Sequence, residues 1–242
     1  MRDALKAELL KTRSGYAMLG VFGYAVLCPV LLLWSGPSLS ALGDRTDEAA
    51  THLVFGLVAA STIAGMFLGS YVVTREYYYK SILRSLLLQG RRNVFAAKVL
   101  ASAAGGALCG LLGVACWTAV TWFALRSEGR HLTLDPTTWG IGLGTVLGGA
   151  LAGIWGAAVG WIVRSYYLAM TLVLVLPMVV ELPLLLNAPA VERFLPGGAL
   201  AGLARVPVDG LFPAPVSAAV MVAWTAAALV TARRLVRRRE AE

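Results

Sequence analysis

Six windows of this chain run for more than twenty residues with one charged side chain or none. Arg13 to Asp44, Glu48 to Arg75, Lys98 to Arg126, Asp135 to Arg164 and Asp209 to Arg233 enclose uncharged sequence. Arg164 to Glu192 encloses Glu181 alone. Crossing ~30 Å of hydrocarbon takes roughly 20 apolar residues in a helix. The chain is 58% hydrophobic and 14% charged, against roughly 45–50% and 25% in a soluble domain. Because the missing charge is missing from these windows, they predict spans rather than an oversized soluble core. The expected fold is an all-α polytopic membrane protein, a single transmembrane domain over residues 1–242 with six transmembrane helices. The spans are placed at 16–35, 52–73, 99–125, 138–163, 166–186 and 213–232. The first is too long for a cleaved signal peptide and has no small-residue exit before polar sequence.

Lysine and arginine set the orientation. Sixteen of the 21 fall at the two termini, in 74–98 and at Arg164, which all lie on one side of the predicted spans. Only Arg45, Arg126, Arg130, Arg193 and Arg205 fall opposite. Both termini and the 74–98 segment are therefore expected in the cytoplasm, with the chain in the plasma (inner) membrane. Topology and anionic lipid account for the net charge of +8 without any nucleic acid.

Residues 3–13, DALKAELLKTR, place Ala4, Leu5 and Leu9 at helical spacing, with Lys6, Glu8 and Arg13 elsewhere around the turn. This predicts an amphipathic helix along the inner leaflet, with a solvated tail as the alternative. The outer segment 187–212 mixes apolar residues with prolines and glycines, too broken to span. A re-entrant pair of short helices near Phe194–Leu203 is expected, a surface loop being the alternative. Gly140, Gly144, Gly148 and Gly153 recur through the fourth span, with Gly65/Gly69 and Gly106/Gly110 in the second and third. Such spacing lets helix backbones approach closely.

Chemistry is sparse. His52 and His131 stand far apart in sequence, Cys28, Cys109 and Cys116 lie within spans, and no metal-ligand spacing occurs. No two carboxylates share a span. No phosphate-binding G-x-x-x-x-G-K-[ST] loop is present, so ATP is not expected to bind this chain. Glu181, between Pro177 and Pro183, is the one acid in a span. It is a gate or proton-site candidate; the alternatives are wetting by an outer vestibule or pairing with Arg193 or Arg205. Pro177, Pro183, Phe194, Leu195 and Pro196 join it as outer-gate candidates.

The segment TREYYYKSILRSLLLQGRRNVFAAK, residues 74–98, carries six basic residues and one acid. It is read as two helical pieces. One prolongs the second span through Tyr77, Tyr78 and Tyr79; the other sets Ile82, Leu83, Leu86 and Leu87 on one face. A face of that kind in the cytosol wants a protein partner or the bilayer surface.

With AELLKTRS near the N-terminus and FLPGGAL after the fifth span, this segment resembles the permease subunits of ABC-2-type ATP-binding cassette transporters. Glu76, Ser81, Arg92 and Lys98 match the family pattern, while Lys80 stands where that pattern has glycine. The resemblance implies a membrane-spanning subunit of an ATP-driven exporter, working as a dimer with an identical or paralogous permease. It implies that 3–13 is a connecting helix, that 190–208 forms outer re-entrant helices, and that 81–90 couples to a cassette ATPase present in two copies. Glu76, Ser81, Ile82, Leu83, Leu86, Leu87, Arg91 and Arg92 are then the coupling residues. ATP and magnesium belong to that partner; this chain is a transport subunit and not an enzyme. Two alternatives stay open: a proton-coupled secondary transporter using Glu181, and a polytopic membrane scaffold or enzyme.

Overall fold

The computed structural model describes residues 2–13, 17–35 and 45–238, and among these every regular element is helical. The short helix α1 (Arg2–Arg13) precedes α2 (Ala17–Ser35). Then α3 (Asp47–Gly56), a 3-10 stretch over Leu57–Ser61 and α4 (Thr62–Tyr78) run on as one rod. Helix α5 (Ile82–Gln89) follows, then α6 (Arg91–Ser127) and α7 (Pro136–Val163). Tyr166–Asn187 is a second composite rod: α8 (Tyr166–Val175), a π-helical stretch over Leu176–Glu181 and α9 (Leu182–Asn187). The chain closes with α10 (Pro189–Glu192), α11 (Pro196–Leu203) and α12 (Ala214–Arg238).

Five described helices are long and apolar enough to cross a membrane: Asp47–Tyr78, Arg91–Ser127, Pro136–Val163, Tyr166–Asn187 and Ala214–Arg238. A sixth apolar helix, Met18–Trp34, is shorter. These match the expected windows with longer bounds, because helices α4, α6 and α12 continue beyond the apolar stretch into charged sequence. This is a helical membrane-protein architecture.

Helix α7 is the centre of the bundle, and its glycines explain why. Added Cβ atoms on Gly65 and Gly110 would come within 2.8 Å of the carbonyls of Gly149 and Thr145, and one on Gly153 would collide with the Ser102 carbonyl. No side chain fits between α7 and α4 or α6 along this seam, which turns the glycine spacing into backbone contact. Gly140 and Gly144 point elsewhere, toward Arg205 and the Leu203 carbonyl, so they pack the 187–212 segment rather than another span, while Gly148 faces both Leu200 of that segment and Thr62 of α4.

Two apolar clusters mark the bundle's ends. Val54, Phe55, Trp117, Leu125 and Ile141 fill one; Val73, Ile82, Val94, Trp161 and Val236 fill the other. Helices that neighbour in sequence thus run antiparallel. The three cysteines are free, Cys28 and Cys109 being buried and Cys116 exposed.

The 74–98 segment folds as the two expected pieces. Helix α4 ends in a Schellman turn, with Ser81 N–H donating to the Glu76 carbonyl at 2.9 Å and Lys80 in the left-handed region at φ 54°. The lysine therefore occupies a conformation that suits the glycine of the family pattern. Gly90, at φ 76°, separates α5 from α6.

Candidate functional site

The expected four-residue face of α5 is corrected. Ile82 is buried and Leu86 packs beside it against Val94, Trp161 and Val236, so these two anchor the helix. Leu83, Leu87 and Leu88 point away, at 68%, 86% and 74% exposure. Their positions at i, i+4 and i+5 leave an apolar ridge with no partner in the described chain. Ser81 is the N-cap of α5, and Arg91 and Arg92 open α6 at its other end, exposed.

Beneath α5 lies a closed ring of four charges. Lys11 Nζ meets Glu8 Oε1 and Glu76 Oε1, each at 2.7 Å. Lys98 Nζ meets Glu8 Oε2 at 2.9 Å and Glu76 Oε1 at 3.0 Å. Lys98 spends its third donor on the Val72 carbonyl at 3.0 Å. Glu8, Glu76 and Lys98 are at most 3% exposed, and the formal charges cancel. Lys11 also reaches Ser85 Oγ at 3.3 Å, tying α5 to the ring. Burial draws the Lys11 ammonium down, but the Glu76 and Glu8 carboxylates outweigh it and hold it above its ordinary range.

Helix α1 docks on the bundle through buried Ala4 and Glu8. Glu76 takes its cations from α1 and α6, and its neighbour Arg75 lies over the Tyr71 ring at 5.5 Å. Glu8, Lys11 and Lys98 were not legible as a set. The i,i+3 spacing of Glu8 and Lys11 was the available signal, and nothing local pairs them with 76 and 98.

At the opposite end a cavity of about 370 Å³ opens between α2, α3–α4, the Tyr166–Asn187 rod and α11. Its polar side chains are Arg45, Thr62, Glu181 and Glu192. Glu181 is 5% exposed and Glu192 0%, so both acids are reached only through the cavity they line. The expected arginine pairing also fails. Arg193 stacks on the Phe194 and Phe212 rings at 5.0 and 4.6 Å, and Arg205 lies against Gly140. Glu181 has Glu192 as its neighbour instead: a Cβ on Gly197 would collide with Glu181 Oε2 and stand 3.0 Å from Glu192 Oε1.

The segment that follows the Tyr166–Asn187 rod turns back into the bundle. All of α11 except Gly197 is buried, with Leu200 packed against Met66, Ala152 and Met221. Leu195 is its N-cap and Pro196 its buried first residue. Glu192 Oε1 accepts from Gly198 N–H at 2.8 Å, and Gly197 backbone reaches Glu181. Each carboxyl nevertheless keeps a buried oxygen, Oε2, with no partner. Pro177 lines the cavity within the π-helical turn that sets Glu181 inward, while Pro183 is exposed and Phe194 is a surface ring. Burial first, and then the Glu181 charge, push the Glu192 carboxyl up to about 7.

Among the described residues no group of three or more metal-ligating side chains occurs. Comparison with family models, with curated proteins and with solved structures yields no match.

Proposed function

We propose that the chain is the membrane-spanning permease subunit of an ATP-driven ABC-2-type exporter. Two copies, or one copy and a paralogue, enclose the path in the plasma membrane with both termini cytoplasmic. The first apolar helix supplies the sixth span. A separate cassette ATPase, also in two copies, docks on α5. The observation that carries this reading is the exposed leucine ridge of α5, mounted on the buried charge ring. Leu83, Leu87 and Leu88 offer a partner about three side chains of apolar area, of order 1.5–3 kcal/mol for each one fully buried. Ile82, Leu86 and the Lys11–Ser85 bond fix the helix to α1, α4 and α6. Force applied to α5 therefore reaches two spans through packed side chains and ion pairs rather than through a loose loop. In this chain Glu8, Lys11, Glu76 and Lys98 hold the coupling helix in place, and the leucines meet the motor.

One observation favours a second reading. Glu192 gives Glu181 the second acid that the sequence of the spans lacked, and paired carboxyls are the chemistry of a proton-coupled transporter. Flux in proteoliposomes separates the two. The permease reading expects export only with the ATPase and hydrolysable ATP, unchanged when the proton gradient is collapsed. Flux driven by a proton gradient through the chain alone, and lost in Glu181→Gln, would establish the second reading instead.

A further inference from the structure

The outer cavity is built from apolar side chains, Leu33, Leu57, Ile63, Leu182 and Leu200 among them. Into this wall project two carboxyls that are at least nine-tenths buried. One oxygen of Glu192 serves the backbone of α11, and Oε2 of each residue has no partner. Among the described residues no ion pair reaches either acid. Of the other polar groups at the cavity, Thr62 Oγ1 is spent on the Ala59 carbonyl and Arg45 stands exposed. A buried acceptor without a donor costs about 1–3 kcal/mol, more when it is charged, so two neighbouring carboxyls that line one cavity, each with such an atom, want a donor.

We propose that this cavity binds an amphipathic ammonium ion, its N–H donors between Glu181 and Glu192 and its single hydrocarbon chain along the leucine wall. The volume lies within the usual 300–1,000 Å³ of small-molecule sites, at the small end. That suits one alkyl chain with a compact head. The head must carry N–H bonds, because the open atoms are hydrogen-bond acceptors and charge-assisted bonds to them are the strong ones. A quaternary ammonium lacks those donors, and among the described residues no aromatic ring lines the cavity to hold one by its face. An alcohol lacks the charge, and an anion is repelled by the carboxylates. Binding does not depend on the permease reading; calling the bound amine the exported cargo does.

The test is equilibrium binding to the full chain in phosphatidylcholine nanodiscs at pH 8, with empty nanodiscs subtracted. The probes are radiolabelled dodecylamine, dodecanol and dodecyltrimethylammonium. Saturable binding of one dodecylamine per chain is expected, about tenfold tighter than either other probe. The double variant Glu181→Gln/Glu192→Gln is expected to lose that preference while keeping the elution volume of the native chain. The wild-type probe series stands by itself if the variant fails to fold. A preference below threefold, or no saturable amine site, overturns the proposal, as does an unchanged preference in a folded double variant. Phosphatidylethanolamine carries the same primary ammonium, so it is added to the nanodiscs as a competitor. Displacement of dodecylamine assigns the site to a lipid headgroup, and no displacement assigns it to a free amine. An ATP requirement for dodecylamine efflux is measured separately, so failure of export leaves the binding result intact.

Discussion

Glu76 and Glu181 are both almost fully buried, at 3% and 5% exposure, yet their surroundings are opposite. Glu76 lies in a ring where every carboxylate meets two ammonium groups. Glu181 faces a second acid, and among the described residues no ion pair reaches it. The first arrangement is closed: its charges cancel, and its geometry locks α1, α4, α5 and α6 together. The second is open, since two acceptors are held in an apolar wall with nothing to accept. Both sites hold a buried oxygen without a hydrogen-bond partner, Glu76 Oε2 in the ring and Oε2 of each acid at the cavity, so the difference is charge. A balanced buried network fixes a structure, whereas uncompensated buried acids are where a ligand or a proton acts. The α5 end of the bundle thus has the character of a joint, and the opposite end that of a site.

Breaking the joint is expected to give the largest effect. Lys98→Met leaves Glu8 and Glu76 sharing Lys11 alone, with one uncompensated buried charge. A loss of about 3–5 kcal/mol is expected on that ground, read as a fall in the detergent unfolding midpoint. The double variant Glu8→Gln/Lys98→Met restores neutrality and should recover a large part of it. Equal stability of Lys98→Met and the native chain would show that the ring is not formed.

The two faces of α5 sharpen the contrast between anchor and ridge. Leu86→Asp places a charge against Val94 and Trp161 and should cost about 2 kcal/mol. Leu87→Asp alters an 86% exposed residue and should change stability by less than about 0.5 kcal/mol. Circular dichroism melts of the two variants settle the order. If Leu87→Asp is the more damaging, the helix sits the other way round.

The outer pair should reveal itself through pH. The Glu192 carboxyl is raised to about 7 from an unfolded value of about 4.3. The folded state therefore holds a proton that the unfolded state has already lost between these values. The stability from this group is complete below about pH 4.3 and is lost as pH rises to about 7. The groups around it are Glu181 on the neighbouring rod, the Gly197 and Gly198 amides of α11, Arg193 on its own turn and Arg45 at the cavity. Glu192→Gln should flatten the pH 5–8 slope of the unfolding midpoint. An identical slope in the variant would contradict the pairing.

The smallest effect concerns Lys80. Its left-handed backbone costs a lysine roughly 1 kcal/mol that glycine avoids, partly offset by the greater freedom of glycine in the unfolded chain. Lys80→Gly should therefore raise stability slightly, by about 0.5 kcal/mol, as measured in the same melts. A loss would mean that the lysine side chain contributes more than its backbone costs.

Much of the frame was legible because hydrophobic windows act locally. The charge-free stretches located the long helices, and the glycine spacing foretold backbone contact. The sites were less legible because they are made by contact between distant segments. Glu8 and Lys98 are ninety positions apart, and they meet only because α6 brings its basic first turns under α1. Glu192 sits eleven positions after Glu181, and the chain must turn back through α10 before the two face each other. The leucines of 82–88 show a finer limit. Their spacing announced an amphipathic helix, but the sequence could not say which leucines the protein keeps for itself.

The most direct test of the central claim is native mass spectrometry of the chain purified from its own membrane, beside Leu87→Asp purified identically. The native chain is expected to carry a cassette ATPase in a complex of two permeases and two motors, and Leu87→Asp to be folded but free of the motor. A native chain without an ATPase, or a Leu87→Asp complex as abundant as the native one, would contradict the coupling of α5 to a motor.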